Sequence, residues 1–146
     1  MKCRNFEIRE LVSRKVFQDR GESAWQLFDP RLLAVIDRLV DKFGACVVND
    51  WPFGGKMEYR GYRGRRDLPK SHFTRGAGQD TYSLDYDQHI HGRAIDCHFK
   101  KISVPEVRNY ILANPQEFPE IKGIELDVSW LHIDVRNSDK VMAFKP

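Results

Sequence analysis

Apolar residues recur along this chain with two spacings. In DPRLLAVIDRLVDKFG, residues 29–44, Leu32, Ile36, Leu39, Val40 and Phe43 fall on one side of a 3.6-residue helix. Asp29 is placed to cap that helix, Pro30 suits its first turn and Gly44 its end. SVPEVRNYILANP, residues 103–115, predicts a second such helix, with Ser103 as cap, Pro105 in the first turn and Asn114-Pro115 as the stop. Two shorter helices are expected at SRKVFQDRG, capped by Ser13, and at ESAWQLF, within a region, 6–28, that otherwise lacks a clean period.

The other spacing is two. GRAIDCHF, residues 92–99, and SWLHIDVR, residues 129–136, alternate as strands do. ACVVND, residues 45–50, reads as a buried strand and KVMAFKP, residues 140–146, as a short final one. Residues 51–88 are rich in Gly, Arg, Asp and Tyr and hold no sustained period, which predicts a long irregular segment of the kind that carries function. With no repeat, low-complexity tract or linker, the 146 residues are expected to form one domain, 1–146, with an α+β layout: a small, mainly antiparallel sheet flanked by helices.

Composition narrows this picture only slightly. An apolar share of 41% and a charged share of 31% describe a globular chain, and no apolar run approaches a membrane span, so no membrane insertion is expected. MKCRNFEIRELV has no apolar core, so no signal peptide is expected and synthesis in the cytoplasm follows. Cys3, Cys46 and Cys97 are odd in number and widely spaced, which favours reduced thiols over a disulfide framework, with Cys46 and Cys97 in the core. The net charge of +3 is too small to name a partner. Arg60, Arg63, Arg65 and Arg66 cluster with Lys56 and Lys70, but they are few and no recognition motif accompanies them, so no nucleic-acid partner is expected. Nothing in the pattern sets an oligomeric state.

Candidate chemistry concentrates in HIHGRAIDCHF, residues 89–99, which holds three of the five histidines. Alternation turns Ile95, Cys97 and Phe99 to one face and Ala94, Asp96 and His98 to the other. In the later strand Ile133 and Val135 share a face, and Trp130, His132, Asp134 and Arg136 share the opposite one. If the two strands are neighbours, Asp96 and His132 lie side by side, and His89 folds over them through a turn at Gly92. Two imidazoles and one carboxylate make a three-ligand zinc set with a fourth position for water. His98, on the Asp96 face, is either a rival ligand or a partner of one. His91 and His72 are expected at the surface, and Tyr82 and Tyr86 are candidates to line a cleft.

His89-x-x-Gly92-x-Ala94-x-Asp96 followed by Trp130-x-His132-x-Asp134 resembles the signature of the zinc D-Ala-D-Ala carboxypeptidases and L-alanyl-D-glutamate endopeptidases. That family shares the Hedgehog/DD-peptidase fold, and WPFGG with the first helix looks like its phage or prophage branch. The resemblance covers roughly residues 44–137. It implies His89, Asp96 and His132 as Zn²⁺ ligands, a peptidoglycan stem peptide as substrate, and action on the cell wall after release by lysis or tail delivery. It further implies a carboxylate-gripping arginine in Gly61-Tyr62-Arg63, with Arg63 the first choice and Arg60 the second. The chain departs from the family at Asp87, where many members have Ser, and at Ser129, where close relatives have the catalytic Glu. Glu125 and Asp127 are the carboxylates left for the general base, and Glu125 has the longer reach. The alternative is a non-catalytic phage structural or wall-binding module that keeps the zinc.

Overall fold

The computed structural model describes residues 1–65 and 87–145; Arg66, Lys70, His72, Tyr82 and Tyr86 lie outside them. Among the described residues, three α-helices and a five-stranded sheet make an α+β architecture. The helices are α1 (Arg14–Arg20), α2 (Pro30–Phe43) and α3 (Val104–Ala113). The strands are β1 (Cys46–Val47), β2 (Ala94–Phe99), β3 (Gly123–Glu125), β4 (Leu131–Asp134) and β5 (Met142–Phe144).

Helix ends follow the local chemistry. Asp29 accepts from the Arg31 N–H at the start of α2, and Pro30 occupies its first turn. Ser103 and Glu106 form a reciprocal capping box on α3. Ser13 caps α1. ESAWQLF, expected as a short helix, lies in a 3-10 helix, Gly21–Leu27, entered directly from α1 through Gly21 at φ 51°.

The strand order is β1-β2-β4-β3-β5; neighbours are antiparallel except β3 and β5, which are parallel. The expected strand in ACVVND contracts to Cys46–Val47, because the Asn49 and Asp50 backbones turn away to bond Glu10 and Met57. Ile95, Cys97, Ile124, Ile133 and Val135 are fully buried and join Leu32, Leu33, Ile36 and Leu39 of α2 and Val107 and Ile111 of α3 in one core. That apolar layer fixes the register of β2 against β4. A slip by one residue would drive Asp96 and His132 into the core. The three thiols are free and buried. Among the described residues no helix is long and apolar enough to cross a membrane.

Candidate metal centre

Asp96 on β2 stands directly opposite His132 on β4. The core claims Ile95, Cys97 and Ile133, so period-two alternation places Asp96, His132 and Asp134 together on the other face. His89 arrives from the turn before β2. Its backbone N–H donates to Asp87 Oδ1 at 2.9 Å, and Gly92 N donates to the His89 carbonyl at 3.2 Å. Gly92 sits at φ 65°, and a Cβ there would lie 1.8 Å from the Leu27 carbonyl oxygen. Only glycine lets the chain close this turn against the segment ahead of α2.

The three side chains converge. His132 Nδ1 is 2.8 Å from Asp96 Oδ1, His89 Nε2 is 3.4 Å from the same oxygen, and the two imidazole centroids are 5.2 Å apart. One donor atom from each residue falls within 4.8 Å of the others, and all three residues are buried, so the group could hold a metal ion. Donors about 2.0–2.2 Å from a tetrahedral zinc ion stand roughly 3.3 Å apart, so the spacing fits with small adjustments. The outer nitrogens are also occupied. His89 Nδ1 is 2.9 Å from the Gly61 carbonyl oxygen and His132 Nε2 is 3.2 Å from Asp134 Oδ2. An N–H donated at each of these positions leaves His89 Nε2 and His132 Nδ1 facing the centre, the arrangement that orients metal-binding imidazoles.

The metal-free electrostatics are those of a caged cation. Burial works against charge on His132, but hydrogen bonds to Asp134 and Asp96 outweigh it and raise its pKa to about 9. Burial likewise opposes ionisation of Asp96, yet the charge of His89 and the hydrogen bond from His132 hold it well below the usual carboxylate range. Asp134, despite burial, is lowered to about 2 by its hydrogen bonds from Arg136 and His132. Arg136 is stacked 4.9 Å over the Phe144 ring, which in turn meets His132 edge-on at 5.8 Å.

The arginines divide. Arg63 donates from Nη2 to Asp96 Oδ2 at 3.0 Å, from Nη1 to Asp87 Oδ2 at 3.1 Å and from Nε to the Tyr59 carbonyl at 2.7 Å. Arg60 donates from Nη1 to His98 Nδ1 at 3.0 Å and has no carboxylate partner among the described residues. His98 therefore stands apart from the donor group, on Arg60, and burial and that guanidinium lower its pKa. His91 is exposed.

Neither carboxylate expected as general base belongs to the donor group. Glu125 ends β3, half-buried, and its Oε2 accepts from Trp130 Nε1 at 3.2 Å. Ile124 pairs with the core residue Ile133, so Glu125 points to the face that carries His132. Asp127 is on the exposed side of the following turn, at φ 59°, paired with Lys145 at 2.9 Å. Trp130 is half-buried and donates to Glu125. Two contributors carry little or no mark in the sequence. The Gly61 carbonyl is a backbone atom with no side-chain signal. Arg108, in the middle of α3, is buried and donates from Nη2 to the carbonyls of Val128 and Trp130, fixing the turn between Glu125 and β4; a charged residue among the apolar positions of that helix is the available hint.

Comparison of the chain with protein-family models, curated proteins and solved structures yields no match in any of the three.

Proposed function

We propose that this chain is a zinc-dependent peptidase hydrolysing an amide bond in peptidoglycan stem peptides, of D,D-carboxypeptidase or L,D-endopeptidase type, on a Hedgehog/DD-peptidase-like fold. The observation that carries this reading is the convergence of His89 Nε2, Asp96 Oδ1 and His132 Nδ1, with a further partner on the outer atom of each ligand. Two neutral nitrogens and one carboxylate oxygen are a donor set suited to zinc, and the three buried thiols lie outside it. When bound, zinc polarises a carbonyl and acidifies water at neutral pH.

The protein supplies the rest. His89, Asp96 and His132 hold the ion. Glu125 takes the proton from the attacking water and returns it to the leaving amine, so that one hydroxyl is added to the acyl carbon and one proton to the nitrogen. Trp130 Nε1 holds the Glu125 carboxylate on the site's face of the sheet. Arg60, with its charge unmatched by any described carboxylate, receives a substrate carboxylate. The test is digestion of purified peptidoglycan and of defined stem peptides by zinc-loaded protein. New free amines of one mass class are expected, and their absence from protein shown to hold zinc contradicts the proposal.

A second reading is favoured by one observation: neither Glu125 nor Asp127 belongs to the donor group, Asp127 is paired with Lys145, and Ser129 stands where close members of the resembled family carry the acid. In it the chain is a non-catalytic, zinc-containing phage structural or wall-binding module. Glu125→Ala separates the two readings, because a binding module keeps its zinc and its wall affinity, while an enzyme keeps zinc and loses turnover.

A further inference from the structure

The segment Arg60–Arg63 is bonded to both halves of the donor group. The Arg60 carbonyl accepts from Asp96 N at 2.7 Å, and the Gly61 carbonyl lies 2.9 Å from His89 Nδ1. Arg63 N donates to the His89 carbonyl at 3.3 Å. The segment is itself pinned from behind: Tyr62 N donates to the Leu11 carbonyl at 2.9 Å, and a Cβ on Gly61 would lie 1.9 Å from that same oxygen. The Arg63 side chain closes the frame. Its Nη2 takes Asp96 Oδ2 and its Nη1 takes Asp87 Oδ2, while Asp87 Oδ1 holds the His89 backbone N–H.

A substrate carboxylate seeking Arg63 would have to displace one of two carboxylates, or approach the two remaining N–H groups against the like charge of both, at a guanidinium whose side chain is only 19% exposed. Removing a partner from a partly buried charge pair leaves the other charge unmatched, a cost that substrate binding would have to meet. Arg60 carries no such commitment among the described residues.

We propose that Arg63 is a positioning residue of the metal centre, not its substrate anchor: by fixing Asp96 Oδ2 and, through Asp87, the His89 backbone, it turns Asp96 Oδ1 toward the two imidazoles and thereby sets metal affinity. This rests on reading His89, Asp96 and His132 as metal ligands. The planar fork is what the geometry needs, since a lysine at this position keeps the charge but offers one nitrogen where Asp87 and Asp96 are met by two.

The experiment measures zinc affinity by competition with a chromophoric chelator, and the visible spectrum of the Co²⁺-loaded form, for wild type, Arg63→Gln, Arg63→Lys and Arg60→Gln, with far-UV circular dichroism on each. Loss of a partner to a metal ligand lowers affinity about 10- to 100-fold. Arg63→Gln is expected in that range with an altered cobalt spectrum, Arg63→Lys between it and wild type, and Arg60→Gln at the wild-type value. Should Arg63→Gln not fold, an affinity of Arg63→Lys below both wild type and Arg60→Gln supports the inference in its place. Wild-type affinity and spectrum in folded Arg63 variants overturn the inference alone. A wild-type protein that takes up no zinc overturns it together with the metal-centre reading.

Discussion

The two sides of the candidate site are built to different standards. On the β2–β4 side every residue of the donor group has a partner outside it. Asp96 is bonded by Arg63 through one oxygen and by His132 through the other, His132 is backed by Asp134, and His89 by the Gly61 carbonyl. On the β3 side Glu125 has, among the described residues, one side-chain hydrogen bond, from Trp130, at the end of a three-residue strand. Residues with several partners lose little freedom when an ion arrives, whereas a singly held carboxylate keeps the freedom to move a proton. Under the proposed function, this contrast separates a preformed metal half from an adjustable acid–base half.

Breaking the first half should have the largest effect. Asp96→Ala removes a member of the donor group and strands Arg63 and His132, and a loss of zinc affinity beyond the about 10- to 100-fold of losing a ligand's partner is expected by chelator competition. Breaking the second half should spare the metal. Glu125→Gln is expected to cut turnover on stem peptides by about 10²- to 10⁴-fold, the usual worth of a positioned acid–base group, with zinc affinity within twofold of wild type. A parallel loss of zinc would show that the two halves are not separable.

Titration sharpens the same contrast. The His132 pKa is raised to about 9, so its stabilising contribution to the metal-free protein is complete below its ordinary value of about 6.5 and is lost as pH rises through about 9. Asp134 is lowered to about 2, so its contribution is present above about 3.8 and lost as pH falls through about 2. Metal needs the His132 ring without its Nδ1 proton, so zinc affinity runs the other way. It should climb about tenfold per pH unit from 7 to 9, with a proton released that calorimetry in buffers of different ionisation enthalpy can count. A flat profile would mean that His132 gives up no proton to the metal between pH 7 and 9. Gly92→Ala forces a side chain into a left-handed turn and against Leu27, and should lower unfolding stability by about 1–3 kcal/mol in denaturant titrations. The smallest effect belongs to Asp127→Asn: its carboxylate is committed to Lys145 at the surface, and turnover should stay at the wild-type level.

How much of this is legible along the chain depends on how local the signal is. The ends of α2 and α3 are readable because Asp29, Pro30 and the Ser103–Glu106 pair act within one turn. The facing of Asp96 and His132 is readable because alternation and a shared core face leave one arrangement for both strands. β3 escapes a reading of the sequence, since three residues, Gly123–Glu125, are too few to display a period. The parallel pairing of β3 with β5 and the order of the sheet are products of packing and leave no local mark. Arg63 is visible as a cation near the site, but its partners Asp87 and Asp96 lie 24 and 33 residues away, so its place beside a ligand emerges only from the folded chain.

X-ray absorption at the zinc edge, on protein carrying one equivalent of zinc, tests the central claim most directly. A first shell of nitrogen and oxygen at about 2.0–2.2 Å, with the outer scattering of two imidazoles and no sulfur, is the predicted result. A sulfur shell near 2.3 Å, or the signature of fewer than two imidazoles, would contradict it.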